Sequence, residues 1–254
     1  MTEISCPHED IYPALRSLWK QAFGDTDEFV NLFMSSAFSP SRCRCVTQNG
    51  KLFAALYWFD CSCNGRKTAY IYAVATDEAH RGKGLCHALM QNTHEHLKNM
   101  GYACALLVPA SEKLSAFYGK MGYKNCRLGV ERVECGAKDM GVKIRNISKQ
   151  EYAEARRRFL PTDGVVQECE NLDVLMCTAC RYAGDDFVLA ARKSKEKLFA
   201  TELLGNAAVA EGIVHALGCR NGLFRVPSDN TPFAMYLPLC AEGAEPSYLG
   251  LAFD

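Results

Sequence analysis

The chain has 254 residues, of which 48% are hydrophobic and 23% charged, a composition typical of a globular protein. Its 29 Lys and Arg residues balance 29 Asp and Glu residues, and this zero formal charge argues against a basic, nucleic-acid-binding surface. The chain starts without a basic, apolar signal segment, and the apolar run 52–59 is far shorter than the roughly 20 residues of a membrane span. We therefore expect a soluble, cytoplasmic protein with one large domain or two modest ones.

Hydrophobic periodicity and turn residues predict helices, then an antiparallel hairpin region, in the first half of the chain. The Asn49-Gly50 dipeptide between two apolar runs is a strong hairpin signal. In chain order the predicted elements are a helix over 9–22, a helix capped by Thr26, strands over 44–48, 52–59 and 68–76, a helix over 83–100, a strand over 103–108, a helix from the Ser111 cap to Met121, and one or two strands over 123–133.

A looser composition around residues 136–141, with two glycines, predicts a boundary between a domain over 1–136 and a second over 142–254. The strand, strand, helix, strand, strand order of the second half repeats the outline of residues 51–133, which suggests an internal duplication. Its predicted elements are a strand over 142–144, a helix capped by Ser148 and ending at Phe159, a helix over 165–182, strands over 187–191 and 197–204, a helix over 206–217, and strands over 223–226 and 233–239.

The cysteine content is high, at fourteen residues. Eight stand singly and the others form the close pairs Cys43/Cys45, Cys61/Cys63 and Cys177/Cys180. Only Cys177-Thr-Ala-Cys180 has the two-residue gap of a zinc half-site, and no second such pair follows. We expect reduced thiols that act as small hydrophobic side chains, and no metal site.

The junction between a predicted strand and a predicted helix at residues 73–90 reads AVATDEAHRGKGLCHALM. Gly82 and Gly84 alternate there with Arg81 and Lys83. Glycines allow a ligand to approach the backbone, the start of a helix offers unpaired N–H groups, and the two cations complement phosphate charge. The pattern favours phosphate or pyrophosphate binding, although it is neither a complete G-x-G-x-x-G nor a Walker loop.

The stretch VATDEAHRGKGL, followed by a helix, resembles the acetyl-CoA loop of the GNAT family of N-acetyltransferases, whose signature is [RQ]-x-x-G-x-[GA]. Arg81 and Gly84 match this signature, and Cys86 departs from its last position. A second block, LLVPASEKLSAFYGKMGY over residues 106–123, resembles the family's strand, helix and FY-x-x-x-G-[FY] ending. Together with the preceding helices and hairpin, the resemblance covers roughly residues 3–133.

The resemblance implies a GNAT fold, a mixed and mostly antiparallel central sheet with flanking helices (α+β or α/β). The V-A-T sequence before the loop is also similar to the two-domain acetyltransferases of the enhanced-intracellular-survival type. These enzymes carry a second, degenerate GNAT-like α+β domain without a cofactor loop, which would correspond to residues 142–254. No [RQ]-x-x-G-x-[GA] sequence occurs in that range.

By the same resemblance, the pantetheine arm of acetyl-CoA would pair with the strand before the loop, and its pyrophosphate would lie on the loop. The strand starting at residue 103 would splay away and open a gap for the thioester. Unpaired backbone N–H groups in this gap could polarise the thioester carbonyl. Cysteine is small and tolerates burial, so we expect Cys86 to be accommodated, with a thiol pKa that the helix start could lower. The implied cofactor-binding residues are Val74, Ala75, Thr76, Arg81, Gly82, Lys83, Gly84, Leu85 and Cys86.

Tyr118 matches the family tyrosine that protonates the leaving thiolate, and Phe117 beside it is expected to fill the packing role on the same helix. A phenol, with a usual pKa of about 10, is a sensible donor to a thiolate. The general base that takes the proton of the amine is not decided. The candidates are the side chains of Asp60, Glu78 and His80 and the terminal carboxylate of Asp254. The last of these enters the active site in the survival-type enzymes.

These observations predict an enzyme that transfers an acetyl group from acetyl-CoA directly to a primary amine of a small molecule. An acyl-CoA sensor without catalysis and a protein-lysine acetyltransferase stay as alternatives. We expect no metal, nucleic-acid or membrane partner, and leave a homo-oligomer open. Five aromatic residues could line the acceptor pocket or belong to the core: Trp19, Phe29, Phe33, Tyr57 and Trp58.

Overall fold

A computed structural model describes residues 2–241 and 243–252, so Asp254 lies outside the described residues. The chain forms two compact units, one made of Met1–Cys61, Gly65–Leu107 and Leu237–Ala244, the other of Ser62–Asn64, Val108–Tyr236 and Glu245–Asp254. The predicted boundary at residues 136–141 lies within the long segment of the second unit. The division into sequence domains 1–136 and 142–254 stays a prediction.

The first unit is a sheet with strand order β1-β2-β3-β4-β5, flanked by helices. The β1–β2 and β2–β3 pairs are antiparallel, whereas β4 and β5, joined through α3, are parallel. The elements are β1 (Thr2–Ser5), α1 (Tyr12–Phe23), α2 (Asp27–Ser36), β2 (Cys43–Gln48), β3 (Lys51–Cys63), β4 (Arg66–Thr76), α3 (Leu85–Asn99) and β5 (Cys104–Leu107).

Local sequence explains the ends of these elements. Asn49-Gly50 and Asn64-Gly65 all adopt positive φ, the conformation that a tight two-residue hairpin turn requires. The hydroxyl of Thr26 accepts a hydrogen bond of 3.3 Å from the amide of Phe29 and so caps α2 as predicted. The prediction missed the short edge strand β1, which has no strong hydrophobic pattern of its own.

An aromatic cluster fills one side of this sheet. The ring of Trp19 lies 4.6 Å from that of Phe33 and 5.2 Å from that of Tyr57, and Phe33 contacts Phe59 at 6.0 Å between centroids. These four side chains are buried. Packing of this kind supports the core interpretation of Trp19, Phe33 and Tyr57, because each ring already has aromatic neighbours.

The second unit holds a six-stranded sheet with the order β7-β13-β12-β11-β10-β8. Its elements are α4 (Glu112–Lys120), β6 (Lys124–Asn125), β7 (Gly129–Gly136), β8 (Arg145–Asn146), α5 (Lys149–Phe159), β9 (Val166–Gln167), α6 (Glu170–Thr178), β10 (Cys180–Ala183), β11 (Phe187–Ser194), β12 (Lys197–Gly205), α7 (Ala210–Ala216), β13 (Asn221–Ser228) and β14 (Met235–Pro238). Met235 and Tyr236 pair with β6, and residues 237–244 then return to the first unit.

The second sheet repeats a feature of the first. Strands β12 and β13 are parallel and are joined through α7, as β4 and β5 are through α3. The connection before α7, residues 206–209, is a short 3-10 turn without the Arg-Gly-Lys-Gly pattern. The predicted fold class, mixed sheets with flanking helices, is confirmed.

Three predicted elements of the second half were wrong in extent or kind. The helix predicted over 165–182 is interrupted, because β9 and β10 flank the shorter α6. The strand predicted over 142–144 lies at 145–146, and the helix predicted over 206–217 is a 3-10 turn followed by α7. Within the described residues no helix is long and apolar enough to cross a membrane, and no group of His, Cys, Asp and Glu could hold a metal ion.

Candidate functional site

The parallel pair β4–β5 opens towards the carboxyl ends of its strands. Pairing extends from Thr68 opposite Cys104 to Tyr70 opposite Leu106, and β4 then continues to Thr76. The open part of β4 therefore includes the three residues predicted to bind the pantetheine arm, Val74, Ala75 and Thr76.

Ala73 lies in this open part of β4 with φ of 49°, in the left-handed region that a residue with a side chain rarely adopts. A left-handed residue inside a strand interrupts the regular alternation of N–H and C=O directions, as in a β-bulge. Backbone of this kind concentrates at functional sites. Sequence reasoning missed Ala73, since alanine carries no signal for a positive φ.

The turn after β4 is open and exposed from Arg81 to Gly84. Gly82 and Gly84 have φ of 76° and 78°, and a Cβ atom built on either would meet nothing within 4 Å. Glycine is needed there for conformation, and the space around it is free for a ligand. The Nε of Arg81 donates to the carbonyl of Thr76 at 3.3 Å, which ties this cation to the end of β4.

Helix α3 starts after Gly84, whose lack of a side chain leaves the first turn without a side-chain cap. Its first internal hydrogen bond runs from the amide of Ala88 to the carbonyl of Gly84 at 3.0 Å. The preceding amides belong to the first turn, where helix geometry offers no acceptor and the dipole is positive. The residues present therefore fit an anion such as a pyrophosphate.

Cys86 lies in this first turn and is half-buried. Burial raises the pKa of its thiol to about 11, so the expected lowering by the helix start is wrong. Burial disfavours the thiolate at this position, and the side chain acts as a small hydrophobic group.

An acidic and an imidazole side chain pair in the short turn before Arg81. Nδ1 of His80 lies 2.5 Å from Oδ1 of Asp77, and Nε2 of Gln21 donates to Oδ2 of the same carboxylate at 3.3 Å. The hydrogen bond from His80, followed by the other contacts, holds the pKa of Asp77 below its usual value. Of the base candidates, His80 is thus engaged by a carboxylate, while Glu78 is exposed.

Asp60, another base candidate, is held by two side chains of the first unit. It accepts a hydrogen bond from the hydroxyl of Tyr102 and lies 3.7 Å from Nη1 of Arg42. Nε1 of Trp58 in turn donates to the Tyr102 hydroxyl at 3.1 Å. Burial, then the bond to Asp60, raises the pKa of Tyr102. These contacts favour a structural acceptor over a proton-transfer group.

Tyr118 is the buried side chain of α4, at 6% exposure, and its ring contacts those of Phe117 and Tyr123 at 5.3 and 5.7 Å. Phe117 is half-exposed, which reverses the expectation that Phe117 would do the packing. Tyr118 belongs to the second unit and the turn at 81–86 to the first. Its role as proton donor, like that of Asp254, stays a prediction.

Two histidines of α3 have lowered pKa values. Burial, and then the neighbouring His87, lowers the pKa of His94 to about 4, and burial lowers that of His96. A neutral His94 would add no positive charge to α3 near neutral pH.

Comparison with known protein families gives a match for the first part of the chain. A family model described as an acetyltransferase (GNAT) domain matches residues 3–126. A GCN5-related N-acetyltransferase from Anabaena variabilis is similar in structure over 94% of this chain and 73% of its own, with a TM-score of 0.74 and 12% identity. No curated protein sequence matches the chain.

Two further solved structures resemble the chain over most of its length. The GCN5-related N-acetyltransferase from Kribbella flavida aligns over 93% of this chain and 70% of its own, with a TM-score of 0.69 and 16% identity. Eis1 from Mycobacterium abscessus aligns over 94% and 74%, with a TM-score of 0.68 and 11% identity. At such identities the likeness concerns the fold, including the part beyond residue 126.

Proposed function

Because residues 3–126 match a family model described as an acetyltransferase (GNAT) domain, we propose that the chain transfers an acetyl group from acetyl-CoA to a primary amine of a small molecule. The observation that carries the proposal is the uncapped start of α3 behind two left-handed glycines. This arrangement supports the binding of a pyrophosphate group at the turn.

In the proposed complex the amides of residues 82–86 bind the pyrophosphate, and Arg81 and Lys83 offset its charge. The main chain of residues 74–76 hydrogen-bonds the pantetheine arm along the open part of β4. The left-handed Ala73, directly before these residues, supports the proposal, since an interruption of the regular strand can leave backbone groups free for a ligand.

The acceptor amine, once deprotonated, attacks the acetyl carbonyl carbon, the carbon–sulfur bond breaks, and an amide forms. The thiolate of coenzyme A takes a proton, for which Tyr118 is the proposed donor. The amine proton passes to water or to a base, for which Asp254 is the proposed group. Backbone N–H groups in the gap beyond the last β4–β5 pair would stabilise negative charge on the carbonyl oxygen.

A small-molecule acceptor is favoured over a protein lysine by the neutral net charge, because the chain has no excess of acidic residues to attract a basic peptide. The second candidate function is an acyl-CoA sensor. The burial of Tyr118 and the hydrogen bond that Asp60 accepts from Tyr102 favour the sensor, because both are typical of residues with a structural role.

The test is release of coenzyme A thiol from acetyl-CoA with a panel of diamines, amino acids, amino sugars and a lysine peptide. Wild type should turn over at least one amine, and Tyr118→Phe should lower kcat by about 100-fold. Arg81→Glu should weaken acetyl-CoA binding by about ten-fold or more, and Lys51→Glu, an exposed charge reversal in the same unit, should not.

Three results discriminate between the readings. Acetyl-CoA binding without turnover of any amine would favour the sensor. Turnover of the lysine peptide alone would favour a protein-lysine acetyltransferase. Unchanged acetyl-CoA affinity in Arg81→Glu would contradict the proposed role of the turn.

A further inference from the structure

The pair Asp77–His80 closes the turn that leads from β4 to the proposed pyrophosphate site. Besides the 2.5 Å contact between Oδ1 of Asp77 and Nδ1 of His80, the amide of His80 donates to the carbonyl of Asp77 at 2.9 Å. Four residues are thereby held in one compact loop, and the loop ends directly before Arg81.

The same pair is attached to the rest of the first unit through three contacts. The amide of Asp77 donates to the carbonyl of Phe53 in β3 at 2.8 Å, and the ring of His80 lies 4.1 Å from that of Phe53. Gln21, in α1, donates to the second carboxylate oxygen of Asp77 at 3.3 Å. One helix and one strand therefore determine where the turn begins.

The two contacts with Phe53 lie on the β3 side of β4. Strands β3 and β5 flank β4 on opposite sides, and β4 loses its pairing on the β5 side beyond Tyr70. The His80 ring packs on Phe53 and so is turned towards β3, away from that gap. This argues for an action of the pair through the backbone of the turn, and against proton transfer at the gap.

We propose that Asp77 and His80 are positioning residues, which hold the turn at 81–86 in the conformation that binds the pyrophosphate of coenzyme A. The inference rests on the proposed function, since it assigns the pair to the same cofactor site. Without the pair, the two left-handed glycines would leave the turn free to adopt many conformations, and binding would have to order it.

The experiment compares two amide replacements of the imidazole. Asparagine can place its amide nitrogen near the position of Nδ1 and glutamine near that of Nε2. His80→Asn retains a donor for Asp77, and His80→Gln places its donor elsewhere. The dissociation constant for coenzyme A is measured by calorimetry for both, for Asp77→Ala and for the double variant Asp77→Ala/His80→Gln.

We expect His80→Gln and Asp77→Ala each to weaken coenzyme A binding about ten-fold, as for loss of a hydrogen bond to a charged group. The double variant should be no weaker than the worse single variant, because both remove the same contact. His80→Asn should bind within about two-fold of wild type. In turnover assays the KM for acetyl-CoA should rise with kcat unchanged, which is the pattern of lost uniform binding.

Lys20→Met provides the control, since it removes an exposed ion pair with Asp27 beside Gln21 on α1. It should leave coenzyme A binding unchanged. Equal affinities for all His80 variants, or a lower melting temperature without a change in affinity, would overturn the inference. Failure of wild type to bind coenzyme A would instead overturn the proposed function.

Discussion

Nε of Arg156 donates to Oε2 of Glu202 at 2.6 Å, and both side chains are almost completely buried in the second unit. Nη2 of Arg156 bonds the other carboxylate oxygen at 3.0 Å, so the pair is bidentate. The hydroxyls of Tyr152 and Tyr248 also donate to Glu202, at 3.4 and 3.2 Å. Burial alone would lower the pKa of Arg156, but the charge of Glu202 and the hydrogen bonds to it together raise this pKa, so the guanidinium stays charged.

This network reaches the last described segment of the chain. Nη2 of Arg156 donates to the side chain of Gln167, which bonds both the amide and the carbonyl of Leu251, at 3.1 and 2.7 Å. A buried network with every member paired specifies one arrangement of its segments, because any unpaired member would be costly.

Removal of Glu202 should therefore destabilise the protein strongly. Glu202→Ala leaves the Arg156 guanidinium buried and unpaired, which typically costs about 3–5 kcal/mol in the free energy of unfolding. Glu196→Ala breaks an exposed bridge to Arg220, where contributions are about 0–1 kcal/mol. Urea denaturation measures both variants, and comparable losses would show that the buried network has no special weight.

Gly250 should tolerate no side chain. A Cβ atom there would lie 2.0 Å from Oε1 of Glu202 and 2.1 Å from the hydroxyl of Tyr248. Gly250→Ala should lower the free energy of unfolding by about 2 kcal/mol, as for overpacking. Gly119→Ala, in α4 with nothing within 4 Å of its Cβ, should be neutral or stabilising. A neutral Gly250→Ala would mean that the segment repacks freely.

The start of α5 should make stability depend on pH. The carboxylate of Glu151 accepts from the amide of Ser148 at 2.9 Å and from Arg145 at 2.7 Å, and these bonds, in that order, lower its pKa to about 2. Because the pKa of Glu151 is lower in the folded than in the unfolded protein, its ionised carboxylate stabilises the fold at pH values above the unfolded pKa near 4.5. This stabilisation is lost as the pH falls towards 2. Glu151→Gln should thus be less stable than wild type at pH 6, with the difference shrinking towards pH 2.

Thermal or urea unfolding of both proteins between pH 6 and pH 2.5 checks this expectation. Glu154→Gln, on the same helix but outside the capping box of Ser148 and Glu151, is the matched control. A gap between wild type and Glu151→Gln that stays constant across this range would contradict the assignment of the stabilisation to the ionised carboxylate.

The thiol of Cys86 should react slowly despite its place at a helix start. Its pKa of about 11 leaves little thiolate at pH 8, whereas Cys169 and Cys177 are exposed. Alkylation at pH 8 followed by peptide mass spectrometry should label Cys86 after those two. Cys86→Ala should keep coenzyme A affinity within about two-fold, since the side chain acts as a small hydrophobic group. Fastest labelling at Cys86 would refute this.

Local signals account for what could be predicted of the fold. Thr26, Ser111 and Ser148 each cap a helix because their hydroxyls meet amides three residues ahead. The helix predicted over 165–182 failed for a different reason. Gln167 is bound to Leu251, far away in the chain, and no periodicity within a window reports such a contact.

By itself the sequence determined the strand, the Arg81–Gly84 turn and the helix of the candidate site, because glycine, cation and strand patterns act within a few residues. Only the tertiary structure decided that Ala73 is left-handed, that Asp77 and His80 bind Gln21 and Phe53, and that Tyr118 is buried. These depend on side chains that meet across elements, whose contacts exist only once the sheet and helices have packed.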